Sequence, residues 1–187
     1  MNREELRSIL KKYPVIAAVK DDAGLEKCIA ADCRVVFILY GNVMNICRIV
    51  KRVKDAQKTV FVHIDLIEGL SAKEVAGEYI AQNTGADGII STKQALIKSA
   101  SAHGLLTVQR FFMLDSLAIN TLKKQLHGEN MDVIEVLPGC IPKIISKILQ
   151  MTQLPVIASG LLQDKEDIRA ALAAGAAAVS GTNYEIW

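Results

Sequence analysis

The sequence predicts an α/β protein built as a closed barrel of eight β/α units, and three observations carry that prediction. Eight short apolar runs, rich in β-branched residues, recur with starts about 23 residues apart, the length of one strand, one helix and two tight loops. The runs are near-continuous rather than alternating, as strands of a parallel sheet covered by helices should be. No G-x-G-x-x-G follows the first run, which places an open doubly wound sheet second. At 187 residues the chain is short for a barrel, which usually takes roughly 200 or more, so the reading is a TIM-type (β/α)8 barrel of minimal length. Residues 1–187 are expected to form one such domain, with 1–14 as a helical lead-in.

Taken in order, Leu6, Ile9 and Leu10 give a short amphipathic helix that Tyr13-Pro14 ends. The eight strands are read at Val15–Lys20, Val35–Tyr40, Val60–Leu66, Gly88–Ser91, Leu106–Phe111, Val133–Leu137, Pro155–Ser159 and Ala177–Ser180. Between them, Ser71-Ala72-Lys73-Glu74 reads as a capping box opening a helix toward Asn83. Asp115-Ser116 and Asp164 supply further N-caps, and Pro142 suits a first helical turn. Gly85, Gly104, Gly128 and Gly175 fall where helices end in a left-handed residue. Only Asn183 to Trp187 remain after the eighth strand, so the last helix is truncated.

Composition narrows the functional classes. A formal net charge of +2 gives no global basic field of the kind that announces nucleic acid, although local patches remain open. Cys28, Cys33, Cys47 and Cys140 form no C-x-x-C pair and have no His at ligand spacing. They read as free, mostly buried thiols of a reducing cytoplasm, with neither a metal nor another cofactor implied. The charged, amphipathic N-terminus is no signal peptide, and the longest apolar run, Val35–Tyr40, is too short to cross a membrane.

In a barrel the chemistry sits at the C-terminal ends of the strands. There this chain places Lys20, His63, Asp65, Glu68, Lys93, Gln109, Arg110 and Glu135. A charge inside an apolar strand costs several kcal/mol unless it is paired or serves a site. Strands seven and eight end in Ser159-Gly160-Leu161 and Ser180-Gly181-Thr182. Two adjacent strands with glycine at their ends bring backbone N–H groups together, a nest that suits phosphate. Three cations (Lys20, Lys93 and Arg110) on the same rim suit a small phosphorylated anion. Blander readings stand beside this one: a structural ion-pair network of Asp65, Arg110 and Glu135, solvated lysines, a hydrogen-bonded core His63, and mere tight turns at Gly160 and Gly181.

Several strings resemble one family, the glycerol uptake operon antiterminator regulators. They are IAAVK at 16–20, VHIDLIEGLS at 62–71, DGIISTK at 87–93, TVQRFFMLDS at 107–116 and IEVLPG at 134–139, with PVIASGL and AAGAAAVSGTN beyond them. The likeness spans essentially the whole chain. It implies a (β/α)8 barrel that responds to glycerol 3-phosphate and, when liganded, prevents premature termination in the leader of a glycerol-utilisation messenger RNA. Ser159-Gly160 departs from the Gly-Gly usual in the family, and Lys93 stands where Arg also occurs.

On that resemblance, backbone around Gly160, Leu161, Gly181 and Thr182, with Ser159, holds the phosphate, helped by Lys93 or Arg110. Asp65 and Glu135 accept from the glycerol hydroxyls and Lys20 balances their charge. RNA contact is expected from Lys51-Arg52-Val53-Lys54 and from Lys123-Lys124, whose alternative reading is the wet face of an outer helix. A movable element is needed, either the loops 67–71 and 114–117 or a homodimer interface. The competing function is a phosphosugar isomerase or aldolase, with Lys93 or Lys20 as Schiff base and Asp65 or Glu135 as general base. A sensor that keeps the ligand and has lost RNA is the third.

Overall fold

The computed structural model describes residues 1–126 and 130–187; Gly128, one of the expected helix ends, lies outside them. Eight strands alternate with helices in chain order. They are β1 (Val15–Val19), β2 (Val35–Ile38), β3 (Thr59–His63), β4 (Gly88–Ser91), β5 (Leu106–Phe112), β6 (Val133–Leu137), β7 (Val156–Ser159) and β8 (Ala178–Gly181). Helix α1 (Arg3–Lys12) precedes β1, and α2 (Asp22–Ala30), α3 (Ile46–Asp55), α4 (Val75–Asn83), α5 (Gln94–Ala102), α6 (Ser116–Gln125), α7 (Pro142–Leu149) and α8 (Lys165–Ala173) follow strands one to seven. All neighbours pair in parallel, and β8 returns to β1 with Ile16 opposite Ser180, so the sheet is a closed TIM-type barrel.

Closure sorts the side chains by strand parity. One set faces inward, where Ile16, Phe37, Phe61, Val108 and Val133 pack as a distinct inner core with Phe37 and Phe61 edge to face at 5.7 Å. The alternate set, such as Val36, Val60, Ile89 and Ile134, packs outward against the helices. Leu6 and Leu10 of α1 join the inner core and close the N-terminal end of the barrel.

Two acidic residues pin the strand starts. Asp87 accepts from the Val60 N–H at 2.9 Å and from Lys54 Nζ at 2.8 Å. Asp132 accepts from the Thr107 N–H at 2.7 Å and pairs with Arg3. Each carboxylate satisfies an orphan donor at the edge of the neighbouring strand and so helps hold register.

Among the described residues, the helix ends read from the sequence form with one exception. Asp115 accepts from Ala118 N, Asp164 accepts from Glu166 and Asp167 N, and Pro142 sits in the first turn of α7. Gly85, Gly104 and Gly175 take positive φ just past α4, α5 and α8. The expected capping box at Ser71–Glu74 does not form: α4 starts at Val75 behind Glu74, with no side-chain cap, and the Glu74 carbonyl instead accepts from Ser99 Oγ of α5 at 2.6 Å. The first-turn N–H groups of Ala76 and Gly77 donate to the Lys73 and Glu74 carbonyls in place of a side-chain cap. The third strand is also shorter than read, because the chain leaves it after His63 for a 3-10 turn at Ile64–Leu66. After β8 only a 3-10 turn at Tyr184–Ile186 remains, and Trp187 Nε1 donates to the Gly181 carbonyl at 2.8 Å, which seats the last residue on the C-terminal rim.

Gly88 is where β4 and β5 approach most tightly: a Cβ there would stand 2.3 Å from the Leu106 carbonyl oxygen and 2.4 Å from Phe61 Cε1. Gly88→Ala should therefore cost about 1–3 kcal/mol through overpacking, read as a lower urea midpoint. An unchanged midpoint would contradict this close approach.

Candidate ligand site at the barrel mouth

The C-terminal ends of β7 and β8 border a cavity of about 200 Å³ whose wall includes Arg110, Ser159, Gly160, Leu161, Gly181, Thr182 and Asn183. Drug-sized ligands fill about 300–1,000 Å³, so this space suits something smaller. A larger groove of about 570 Å³ opens at the other end, beside α1, α7 and α8, but it lies away from the strand ends that carry the polar set.

Gly160 and Leu161 both hold positive φ, 74° and 57°. For leucine this is an uncommon backbone conformation, sustained here by the surrounding loops. The Gly139 N–H, in the loop after β6, donates to the carbonyls of Ser159 and Gly160 and ties that loop down. A Cβ on Gly139 would lie 2.6 Å from Ser159 N, so the approach needs glycine. With no side chain at Gly160 and Gly181, backbone itself forms that part of the cavity wall.

Arg110 is held in place from behind. Its Nε donates to Glu135 Oε2 at 2.6 Å, and Glu135, with no solvent exposure, takes its other contacts from the Ser159 and Ser180 hydroxyls on Oε1. Those two hydroxyls also touch each other. The carboxylate thus joins β5, β6, β7 and β8 through three hydrogen bonds, two on Oε1 and one on Oε2. Glu135 therefore stands behind the cavity rather than in its wall, while Arg110, bonded to it through Nε, lines the cavity.

The remaining expected residues lie elsewhere. Asp65 turns toward the end of β4, accepting from Ser91 Oγ at 3.1 Å and Thr92 N at 2.8 Å, with Lys93 Nζ 3.6 Å away. The 3-10 turn after His63 takes Asp65 out of the strand that the sequence ran to Leu66. Lys93 is half exposed and Lys20 is exposed. Neither lysine, nor Asp65 or Glu135, lines the cavity. Conversely, Ser180, Gly139 and Asn183 shape or line the site without having been singled out as ligand residues; the Ser-Gly-Thr-Asn string and the IEVLPG string were the available signals.

A sequence profile described as glycerol-3-phosphate responsive antiterminator matches residues 15–187. The chain belongs to this family. It is 44% identical over 182 residues to the Escherichia coli (strain K12) protein YgcP, covering 97% of this chain and 95% of that one. The crystal structure of the glycerol uptake operon antiterminator regulatory protein from Listeria monocytogenes str. 4b F2365 superposes with a TM-score of 0.89 at 34% identity, over 92% of this chain and 94% of that chain. A glycerol uptake operon antiterminator-related protein from Thermotoga maritima MSB8 gives 0.82 at 36% identity, over 92% and 96%.

Within this antiterminator-family barrel, His63 occupies an unusual place. It is buried at the inner end of β3, and its Nδ1 has no hydrogen-bond partner, with Asp65 3.9 Å away. The expected hydrogen-bonded core histidine is thus corrected: the ring is in the core, but this nitrogen is unsatisfied. Burial, then the Arg110 charge, pushes its pKa down to about 4, against the opposing pull of Glu135 and Asp65.

The expected RNA-contacting cations divide in two. Lys51 pairs with Asp55, Arg52 with Glu26 and Lys54 with Asp87. Lys123 and Lys124 lie exposed in the last turn of α6 and enter no ion pair among the described residues. Among those residues no cluster of His, Cys, Asp or Glu could hold a metal, and no helix is long and apolar enough to cross a membrane.

Because His63 is held neutral in the fold, the unfolded chain takes up its proton first as pH falls. Its stabilising contribution is complete above the ordinary value of 6.5 and is lost as pH drops toward 4. Between about pH 7 and pH 5 this should remove about 2 kcal/mol from the stability of the native chain relative to His63→Gln, which cannot charge. Parallel urea titrations of the two chains at both pH values check this; equal losses would contradict a neutral buried imidazole.

Proposed function

We propose that this chain is a glycerol-3-phosphate sensor that acts as an antiterminator on the leader RNA of a glycerol-utilisation operon. The observation that carries the ligand half is the Arg110 guanidinium, fixed by Glu135 beside a cavity walled by backbone at Gly160, Leu161, Gly181 and Thr182. A dianionic phosphate is bound best by oriented N–H donors together with a planar guanidinium. Arg110 takes the phosphate role that sequence left open between it and Lys93. Asp65, Lys93 and Lys20 then act at the outer edge of the mouth, nearer the glycerol end.

The switch runs through the strand that carries Arg110. Beyond the end of β5, residues 114–117 lead into α6, and Leu114 and Leu117 are 84% and 69% exposed. Unpacked leucines at the mouth can reseat over an occupied cavity, and only a ligand that favours one arrangement shifts the balance. Such a movement carries α6, and with it Lys123 and Lys124, which makes that helix the first choice for RNA contact. Lys51, Arg52 and Lys54 would have to release carboxylates to reach a phosphate backbone. The protein works in the cytoplasm, where its RNA is made, alone or as a homodimer.

A phosphosugar isomerase or aldolase is disfavoured by the same geometry. A Schiff-base lysine needs desolvation, and both Lys20 and Lys93 meet water. A general base must reach the substrate, and Glu135 has no solvent exposure and lies outside the cavity wall.

Calorimetric titration with glycerol 3-phosphate should give saturable binding that glycerol alone does not, with no turnover by NMR. Arg110→Lys, which keeps the charge but loses the guanidinium fork, should weaken binding about tenfold or more. Gly181→Asp should abolish it by adding like charge and a Cβ that would lie 2.7 Å from Ile186 Cδ1. No binding, or consumption of the ligand, would overturn the sensor. In gel shifts of the leader RNA, ligand should strengthen the complex, and Lys123→Ala with Lys124→Ala should lower the salt slope by roughly one to two. An unaltered slope would remove α6 from the interface.

A further inference from the structure

At the opposite end of the barrel lies a cluster that the ligand site does not use. Cys28, in the last turn of α2, and Cys33, in the loop leading to β2, are buried with their sulfurs 3.9 Å apart. Lys58, immediately before β3, is buried beside them. Its Nζ donates to the carbonyls of Ala31 and Cys33, each at 2.6 Å, and stands 3.8 Å from Cys33 Sγ. No carboxylate pairs with Lys58 among the described residues.

An ammonium has three protons and a full charge, and the two carbonyls it meets are neutral. Among the described residues, Cys33 is the one hydrogen-bond partner of Lys58 Nζ that can become an anion, so burial of the lysine is best compensated when Cys33 is a thiolate. As a thiol Cys33 can donate to the Cys28 carbonyl, 3.8 Å from its Sγ; once Cys33 ionises that bond is given up and the Cys28 S–H donates to Cys33 Sγ. That hydrogen bond, with the Lys58 charge, brings the Cys33 pKa below the ordinary thiol value against the opposing effect of burial, while the same contact and burial push Cys28 up. Cys47 contacts the Tyr79 hydroxyl at 3.9 Å and, among the described residues, makes no hydrogen bond with a cationic side chain.

We propose that Cys28 and Cys33 are a peroxide-reactive dithiol, with Cys33 the attacking thiolate, Lys58 its cationic partner and Cys28 the resolving thiol. The Cys33 thiolate attacks one oxygen of a hydroperoxide; an S–O bond forms, the O–O bond breaks, and the leaving oxygen departs as water or alcohol after taking a proton. Cys28 then attacks the Cys33 sulfenic sulfur: the S–S bond forms, the S–O bond breaks, and a second water leaves with the Cys28 proton. Two thiols are oxidised and one peroxide is reduced. The sulfurs must close from 3.9 Å to roughly 2.0 Å, a small movement for a loop at 31–34 whose Asp32 and Arg34 are exposed.

The test treats the full-length reduced protein with a few equivalents of hydrogen peroxide, alkylates the remaining thiols and maps the peptides by mass spectrometry. A Cys28–Cys33 disulfide should form first, with Cys47 and Cys140 still alkylated. Cys28→Ser should stop at a Cys33 sulfenic acid that dimedone traps, and Lys58→Met should slow oxidation of Cys33 tenfold or more. Oxidation of Cys47 or Cys140 ahead of the pair, or a pair that stays reduced in the natural chain, would overturn the assignment. The natural chain alone decides that outcome, whether or not the variants fold.

Discussion

A fully buried carboxylate organises the working end of this protein. Glu135 projects into the barrel from β6 and meets Arg110 from β5, Ser159 from β7 and Ser180 from β8. Desolvating a carboxylate is expensive, and the expense is offset only when its acceptor positions are filled with good geometry. Half of the sheet is consequently tied through one side chain. The result is a guanidinium held at a fixed place beside a backbone wall, which long, solvated lysines at the same rim could not provide.

The two ends of the barrel use polar residues differently. At the N-terminal end, Asp87 and Asp132 satisfy strand N–H groups and are themselves paired with Lys54 and Arg3, an arrangement that serves register. At the C-terminal end, His63 is left with an unsatisfied ring nitrogen and Leu114 and Leu117 with little cover. Unsatisfied and unpacked groups cost stability, and they collect where binding rather than folding is served. The Cys28–Cys33–Lys58 cluster belongs to the first end by position and to neither by chemistry, which is why it calls for a reading of its own.

Membership of the antiterminator family and the barrel architecture agree with each other, yet the barrel alone would not have pointed to a regulator. Solved barrels at 16% identity or below include enzymes, and at that distance they share the fold alone. Locally, the rim lysines are solvated and the buried carboxylate lies outside the cavity, while a held arginine and a glycine-lined wall suit recognition of an anion.

The chain's periodicity by itself determined the eight strands, their parallel order and hence the rim on which the polar residues gather, because buried strands and amphipathic helices write their period directly into the sequence. It also carried the caps at Asp115 and Asp164 and the glycines that end helices, which depend on neighbours a few residues away. Tertiary structure decided which rim residues meet. Glu135 reads as a ligand carboxylate until Ser159, Ser180 and Arg110 arrive from three other strands to occupy it. Asp65 is captured by Ser91 and Thr92 at the end of the neighbouring strand while staying 3.9 Å from His63 Nδ1. The pairing of Cys28 with Cys33 and Lys58 likewise exists only once the loop before β2 and the start of β3 are brought side by side. Local rules reach only a few residues along the chain, and each of these outcomes was settled by a group that folding delivers from elsewhere.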